Sequence, residues 1–154
     1  MTLKDRLVED MKVAMKAKEE GKARLSVIRM ARAAIKYAEI EKKQELNDEQ
    51  TIEVLARELK KLRDSAEEFK KANRPESVIS LEEEISILMD YLPQQLSEGE
   101  IRQLVQEVVT AVGAQGPKDL GKVMGALTPK TKGRADGKLV NQIVRELLGS
   151  KVTS

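Results

Sequence analysis

Three features of this 154-residue sequence predict an all-α fold. Apolar residues recur at steps of three and four, capping residues precede several of these runs, and glycine or proline closes most of them. No segment alternates as a half-buried strand does. The first helix opens at Thr2 and Asp5, which have capping-box spacing, and carries Leu3, Leu7, Met11 and Met15 to about Lys18 before Gly21 breaks it. A second helix is expected from about Lys22 to Glu45, with Leu25, Ile28, Ala31, Ile35 and Ala38 inward. A third starts at the N-cap Asn47 and places Ile52, Leu55, Leu59, Leu62, Ala66 and Phe69 on one arc of roughly 100°. With one or two residues between them, these two long helices should fold back as an antiparallel hairpin. Asn73-Arg74-Pro75 stops the third helix, and Pro75 starts a fourth that ends before Pro93, with Ile79, Ile85, Leu88 and Leu92 inward.

Beyond Pro93 the character changes. Ser97 and Glu100 form a capping box, Leu96 and Ile101 fit a hydrophobic staple, and Gly113 closes the helix that starts at Glu98. Pro117 opens a short helix through Leu127, stopped by Thr128-Pro129. A polar loop from Lys130 to Gly137 then leads into a last helix from about Lys138 to Leu148, closed by Gly149. Seven of the nine glycines follow residue 110 and none lies between residues 22 and 96. This shift divides the chain into a long-helix bundle, 1–92, and a small three-helix domain, 96–149, joined at Leu92-Pro93-Gln94-Gln95.

Composition narrows the chemistry. Charged residues make up 35% of the chain and aromatic residues 2%, with 28 Lys plus Arg against 26 Asp plus Glu. The absence of Cys and His excludes disulfides, thiolate or imidazole metal sites, and imidazole-dependent triads. No apolar run reaches the ~20 residues of a membrane span and the N-terminus has no signal-peptide core, so a cytoplasmic location is expected, with no membrane partner. Glu82-Glu83-Glu84 cannot converge on one ion, because consecutive helical residues point in different directions. No Walker loop or dinucleotide fingerprint occurs, so no metal and no cofactor are expected. With Tyr37, Phe69 and Tyr91 as the only aromatics, any RNA contact would rest on shape and phosphate rather than stacked bases.

The basic residues are unevenly placed. Residues 1–92 hold 19 Lys plus Arg and 20 Asp plus Glu, whereas residues 93–154 hold 9 and 6. Most of that excess is Lys118, Lys122, Lys130, Lys132, Arg134 and Lys138, where glycines such as Gly133 and Gly137 would let backbone approach a phosphate. The same pattern also describes a solvated turn. In the second helix, Lys22, Arg29, Lys36 and Lys43 recur every seven residues, with Arg32 beside them. They form either a ladder for a phosphate backbone or a set of stems lying over the hairpin seam and paired with Glu39, Glu41 or the acids of helix three.

The run Leu120-Gly121-Lys122-Val123-Met124-Gly125-Ala126-Leu127, followed by Lys132-Gly133-Arg134-Ala135-Asp136-Gly137 and Leu139-Val140-Asn141, closely resembles the YqeY family. So do Leu7 to Lys12, Arg57 to Ser65, and Tyr91-Leu92-Pro93-Gln94-Gln95-Leu96-Ser97. The C-terminal part also resembles the tail of GatB, a component of the tRNA-dependent amidotransferase, and modules appended to some glutaminyl-tRNA synthetases. This resemblance implies contact with tRNA without catalysis. It points to Gly121, Met124, Lys132, Gly133, Ala135 and Asn141, of which Lys132 and Asn141 offer polar side chains. Thr128-Pro129 departs from the tail's pattern and is shared with YqeY proteins. The ATP-using and transamidating domains have no counterpart here.

The resulting expectation is a non-catalytic tRNA-binding or tRNA-enzyme accessory protein. Its contact residues would be Lys118, Lys122, Lys130, Lys132, Gly133, Arg134, Lys138 and Asn141. The alternative is an adaptor that docks on a tRNA synthetase or amidotransferase without touching RNA.

Overall fold

The computed structural model describes the backbone of residues 1–153 and the side chains of residues 1–149. Seven α-helices follow one another: α1 (Leu3–Lys16), α2 (Lys22–Lys42), α3 (Asp48–Lys71), α4 (Pro75–Met89), α5 (Glu98–Val112), α6 (Leu120–Thr131) and α7 (Gly137–Thr153). Single 3-10 turns stand at Lys18–Gly21 and Pro117–Asp119, and no strand occurs among the described residues. The fold is all-α. The chain divides into two compact units, Met1–Pro93 and Gln94–Ser154.

In the first unit the helix starts follow local chemistry. Thr2 with Asp5, and Asn47 with Gln50, form reciprocal capping boxes that satisfy otherwise orphaned N–H groups at α1 and α3. Glycine decides how closely α1 and α2 approach. A Cβ on Gly21 would stand 2.1 Å from the Ala14 carbonyl oxygen, so the connection is built on backbone contact that no side chain permits. At the opposite end, Lys4 bonds Glu39 at 2.7 Å and the Leu3 N–H donates to Asp48, tying the start of α1 to α2 and α3.

Leu7, Ile28, Leu55, Leu59 and Leu88 centre the core of this unit, each burial contributing about 1.5–3 kcal/mol against the cost of ordering the chain. Tyr91 is also buried there. Its hydroxyl donates to Asp10 and accepts from Arg24, which also bonds Asp90, while the Arg6 guanidinium lies 4.6 Å from the ring centre. Burial and the adjacent Asp10 carboxylate raise the Tyr91 pKa above its ordinary value.

Four expectations are corrected in this unit. Helix α2 ends at Lys42 rather than Glu45, because Lys43 turns left-handed at φ 54°, and the connection to α3 is therefore five residues long. Val27 is buried on α2, whereas Leu25 is only half-buried. On α4 Val78 takes the inward place expected of Ile79, which is 66% exposed. The helix itself stops at Met89, short of the turn that brings Tyr91 and Leu92 into the core.

The second unit packs α5, α6 and α7 around Ile101, Val105, Val123, Leu127 and Ile143. Ser97 and Glu100 cap α5 reciprocally, and Gly113 ends it at φ 67°. Two stop signals act differently from expectation. Pro129 lies inside α6, which runs on to Thr131; it sits in the last turns, where its missing N–H costs one hydrogen bond. The Thr128 hydroxyl donates to the Met124 carbonyl there. Gly149 does not close α7, whose helical backbone continues through it to Thr153.

Candidate nucleic-acid interface

The basic cluster of the second unit is distributed over several elements. Lys118 stands in the 3-10 turn before α6, Lys122 in the first turn of α6, and Lys130 in its last turn, where a cation complements the helix dipole. The polar loop is shorter than expected, residues 132–136, because Lys130 and Thr131 are helical and α7 begins at Gly137. Thr131 is buried and its hydroxyl donates to the Leu127 carbonyl. Lys118, Lys122, Lys130, Lys132 and Lys138 are all exposed.

Arg134, Gly133 and Asn141 are engaged within the fold. The Arg134 Nε donates to the Gln94 carbonyl at 3.2 Å, and its own carbonyl accepts from the Leu96 N–H at 2.8 Å. The Gly133 carbonyl accepts from the Gln95 amide at 2.8 Å. Arg134 and Gly133 thus staple residues 94–96 to the loop. The Arg134 charge also helps hold the Glu100 carboxyl below its ordinary value, after the larger contributions of the Ser97 backbone and hydroxyl. Gly133 has φ 75°, a left-handed geometry that favours glycine independently of any ligand. Asn141 accepts from Arg145 Nε at 2.7 Å, one turn along α7.

The N-terminus of α7, where free amides and the helix dipole would favour a phosphate, already carries an anion. The Asp136 carboxylate accepts from the Lys138 N–H at 3.0 Å, and the Asp136 carbonyl accepts from Val140. A second carboxylate sits near the start of α6. Asp119 accepts from the Gln115 N–H, which is the main cause of its lowered pKa, with the charges of Lys118 and Lys122 adding to it. Lys118 and Lys122 are therefore neighbours around one carboxylate.

The heptad stripe of α2 is divided. Lys22 is exposed at the start of the helix and Lys43 lies outside it, while Arg29, Arg32 and Lys36 line a groove between α1 and α2. Glu39, expected to answer the stripe, is bonded to Lys4 instead. Glu82 and Glu83 are exposed and Glu84 half-buried, and no group of three potential metal ligands occurs among the described residues. No described helix is long and apolar enough to cross a membrane.

Comparison with known proteins adds kinship to this geometry. Altered inheritance of mitochondria protein 41, mitochondrial, from Pyrenophora tritici-repentis is 30% identical over 149 residues, covering 95% of this chain and 81% of its own length. The E-type component of glutamyl-tRNA(Gln) amidotransferase from Thermococcus sibiricus is 44% identical over 55 residues, and its counterpart from Thermococcus gammatolerans 43% over 54. These stretches cover 33% and 32% of this chain but 9% of each amidotransferase chain, so this protein is similar to one small part of them. The resemblance to the amidotransferase tail thus holds as partial homology. The family described as Yqey-like protein matches residues 4–148, and the chain belongs to that family.

Proposed function

We propose that this chain is a non-catalytic accessory of tRNA metabolism whose second unit meets tRNA phosphate through exposed lysines. The observation that carries this reading is the 43–44% identity to a stretch of two amidotransferase chains whose names specify glutamyl-tRNA(Gln). A stretch amounting to 9% of such a chain fits a module of the enzyme rather than the enzyme itself. Lys118, Lys122, Lys130, Lys132 and Lys138 supply the contact, with Arg134, Gly133 and Asn141 shaping the surface behind them. Lysines act on phosphate as point charges, so this mode gives affinity and register with little base readout.

The test is a titration of the full chain with bulk tRNA at low and moderate salt. The comparison protein carries Lys118→Ala, Lys122→Ala, Lys130→Ala and Lys132→Ala, leaving Arg134 in place because its side chain also bonds the Gln94 carbonyl. Affinity should fall steeply with salt, and at low salt the variant should bind at least about tenfold more weakly with a shallower salt slope. Absence of binding at the lowest salt overturns the reading.

The adaptor reading would then lead, with a tRNA synthetase or amidotransferase as partner. It is favoured by Tyr37 and Ile40, three residues apart on α2 and each 66% exposed. The proposed location is the cytoplasm. The mitochondrial designation of the Pyrenophora relative makes the organelle the alternative, and fractionation of tagged protein separates the two.

A further inference from the structure

The groove between α1 and α2 has a volume of about 490 Å³, within the range of small-molecule sites, and its charge is one-sided. Lys4, Arg29, Arg32 and Lys36 line it, against the single carboxylate of Glu39. That carboxylate is already spoken for. It accepts from Lys4 at 2.7 Å and from the Leu46 N–H at 2.9 Å, which together hold its pKa down. Among the described residues, Arg32 bonds the thioether of Met11 at 3.2 Å, a weak and uncharged acceptor, and has no carboxylate within ion-pair distance. Arg29 and Lys36 have no carboxylate within ion-pair distance among the described residues. Three cations therefore line one concavity with no ion pair of their own among the described residues, the Glu39 carboxylate there being paired with Lys4.

Their spacing is set by the helix. Arg29, Arg32 and Lys36 sit at i, i+3 and i+7, so they span about 10 Å of α2 on one face. Holding three like charges on such a short face disfavours the empty groove, and a multivalent anion relieves that repulsion. A carboxylate neutralises one charge, so an acidic peptide would have to converge three side chains on the groove. A phosphate group brings up to two charges and three acceptor oxygens at once, and the arginine fork matches it bidentately.

We propose that the α1/α2 groove is a phosphate-binding site, with Arg29 and Lys36 as its primary ligands, Arg32 as a third cation and Lys4 screening Glu39. Its ligand is a compact polyphosphate or two neighbouring phosphates of a phosphodiester chain. The site lies in the other unit from the lysines of the second unit and does not depend on their role.

The test uses the full chain labelled for NMR, titrated at low salt with inorganic tripolyphosphate, with a single-stranded RNA oligonucleotide, and with polyglutamate. Saturable shifts of the Val8, Arg29, Ala33 and Lys36 amides and of the Arg29 and Arg32 Nε–H signals are expected with at least one phosphate probe. Saturation by tripolyphosphate identifies a compact phosphate ligand, and shifts with RNA alone identify a phosphodiester chain. Arg29→Gln with Lys36→Gln should weaken binding at least tenfold while the remaining spectrum overlays. The charge-conserving pair Arg29→Lys with Lys36→Arg should retain binding within threefold. The fourfold lysine variant of the second unit should leave these groove shifts unchanged, which separates failure here from failure of the tRNA reading. The proposal is overturned if neither phosphate probe moves the groove signals, if the glutamine pair binds like the parent, or if polyglutamate binds the groove as tightly as the phosphate probe.

Discussion

A glycine can be required by its own backbone or by its neighbour's, and Gly21 and Gly125 separate the two cases. Gly21 has φ −94°, which any residue adopts, yet an added Cβ would fall 2.1 Å from the Ala14 carbonyl oxygen. Backbone cannot move aside as a flexible side chain does, so Gly21→Ala should destabilise the protein by about 2–3 kcal/mol in urea unfolding. Gly125 lies within α6 with nothing inside 4 Å of an added Cβ. Gly125→Ala should therefore stabilise by about 0.5–1 kcal/mol in the same measurement, through the greater backbone entropy glycine loses on folding. The opposite signs test the distinction, and two losses would contradict it. Sequence alone marks Gly21 as a break without giving its cause, since the cause is a carbonyl seven residues earlier. Arg134 illustrates the same gap at the candidate interface. Its charge was legible in the polar loop, but its hydrogen bond to Gln94, 40 residues away, was not. The lysines were easier to read because exposed charge needs no partner to be recognised.

Helix starts and helix ends differ in how much of their cause is local. The boxes at Asn47 and Ser97 place every interacting group within four residues, so both starts could be located from spacing. The ends of α2, α6 and α7 could not, because each depends on whether the last turn gains more from continuing than from turning away. Burial by Val78 instead of Ile79 is the same difficulty within α4: adjacent residues lie about 100° apart, and the packing against α3 selects one. Between elements, the Lys4–Glu39 pair ties α1 to α2, and its pH dependence follows from two opposite shifts. Glu39 is held below its ordinary 4.5, so its contribution is present above that pH and is lost as acid protonates the folded carboxylate. Lys4 is held above its ordinary 10.5, so its contribution is present below that pH and is lost as base deprotonates it. Glu39→Gln should accordingly lower stability by no more than about 1 kcal/mol near neutrality, both groups being partly solvated. In unfolding curves the difference should shrink as the pH falls below 4.5, and again as it rises past 10.5. A gap unchanged down to pH ~2 would mean that shape, not charge, joins the two helices.

At the scale of the whole molecule, the two apolar clusters have no residue in common. One is built from α1 to α4 with Tyr91 and Leu92, the other from α5 to α7 with Ala114. The residues that follow Pro93 are held locally as well, Gln95 by Gly133 and Leu96 by Arg134. Each unit thus has its own core and its own closing hydrogen bonds, which are the requirements for folding alone. Size sets the difference between them, because a domain of roughly 60 residues buries only about 60% of the surface its unfolded chain exposes. Fragments 1–93 and 94–154 are each expected to show helical circular dichroism and a cooperative transition. The shorter one should melt at the lower temperature and show the smaller denaturant slope, in proportion to the surface it exposes. An unfolded 94–154 fragment beside a folded 1–93 would show that the basic unit needs the longer helices to fold. The lysines and the α1/α2 groove would then be joined through stability, whatever each of them binds.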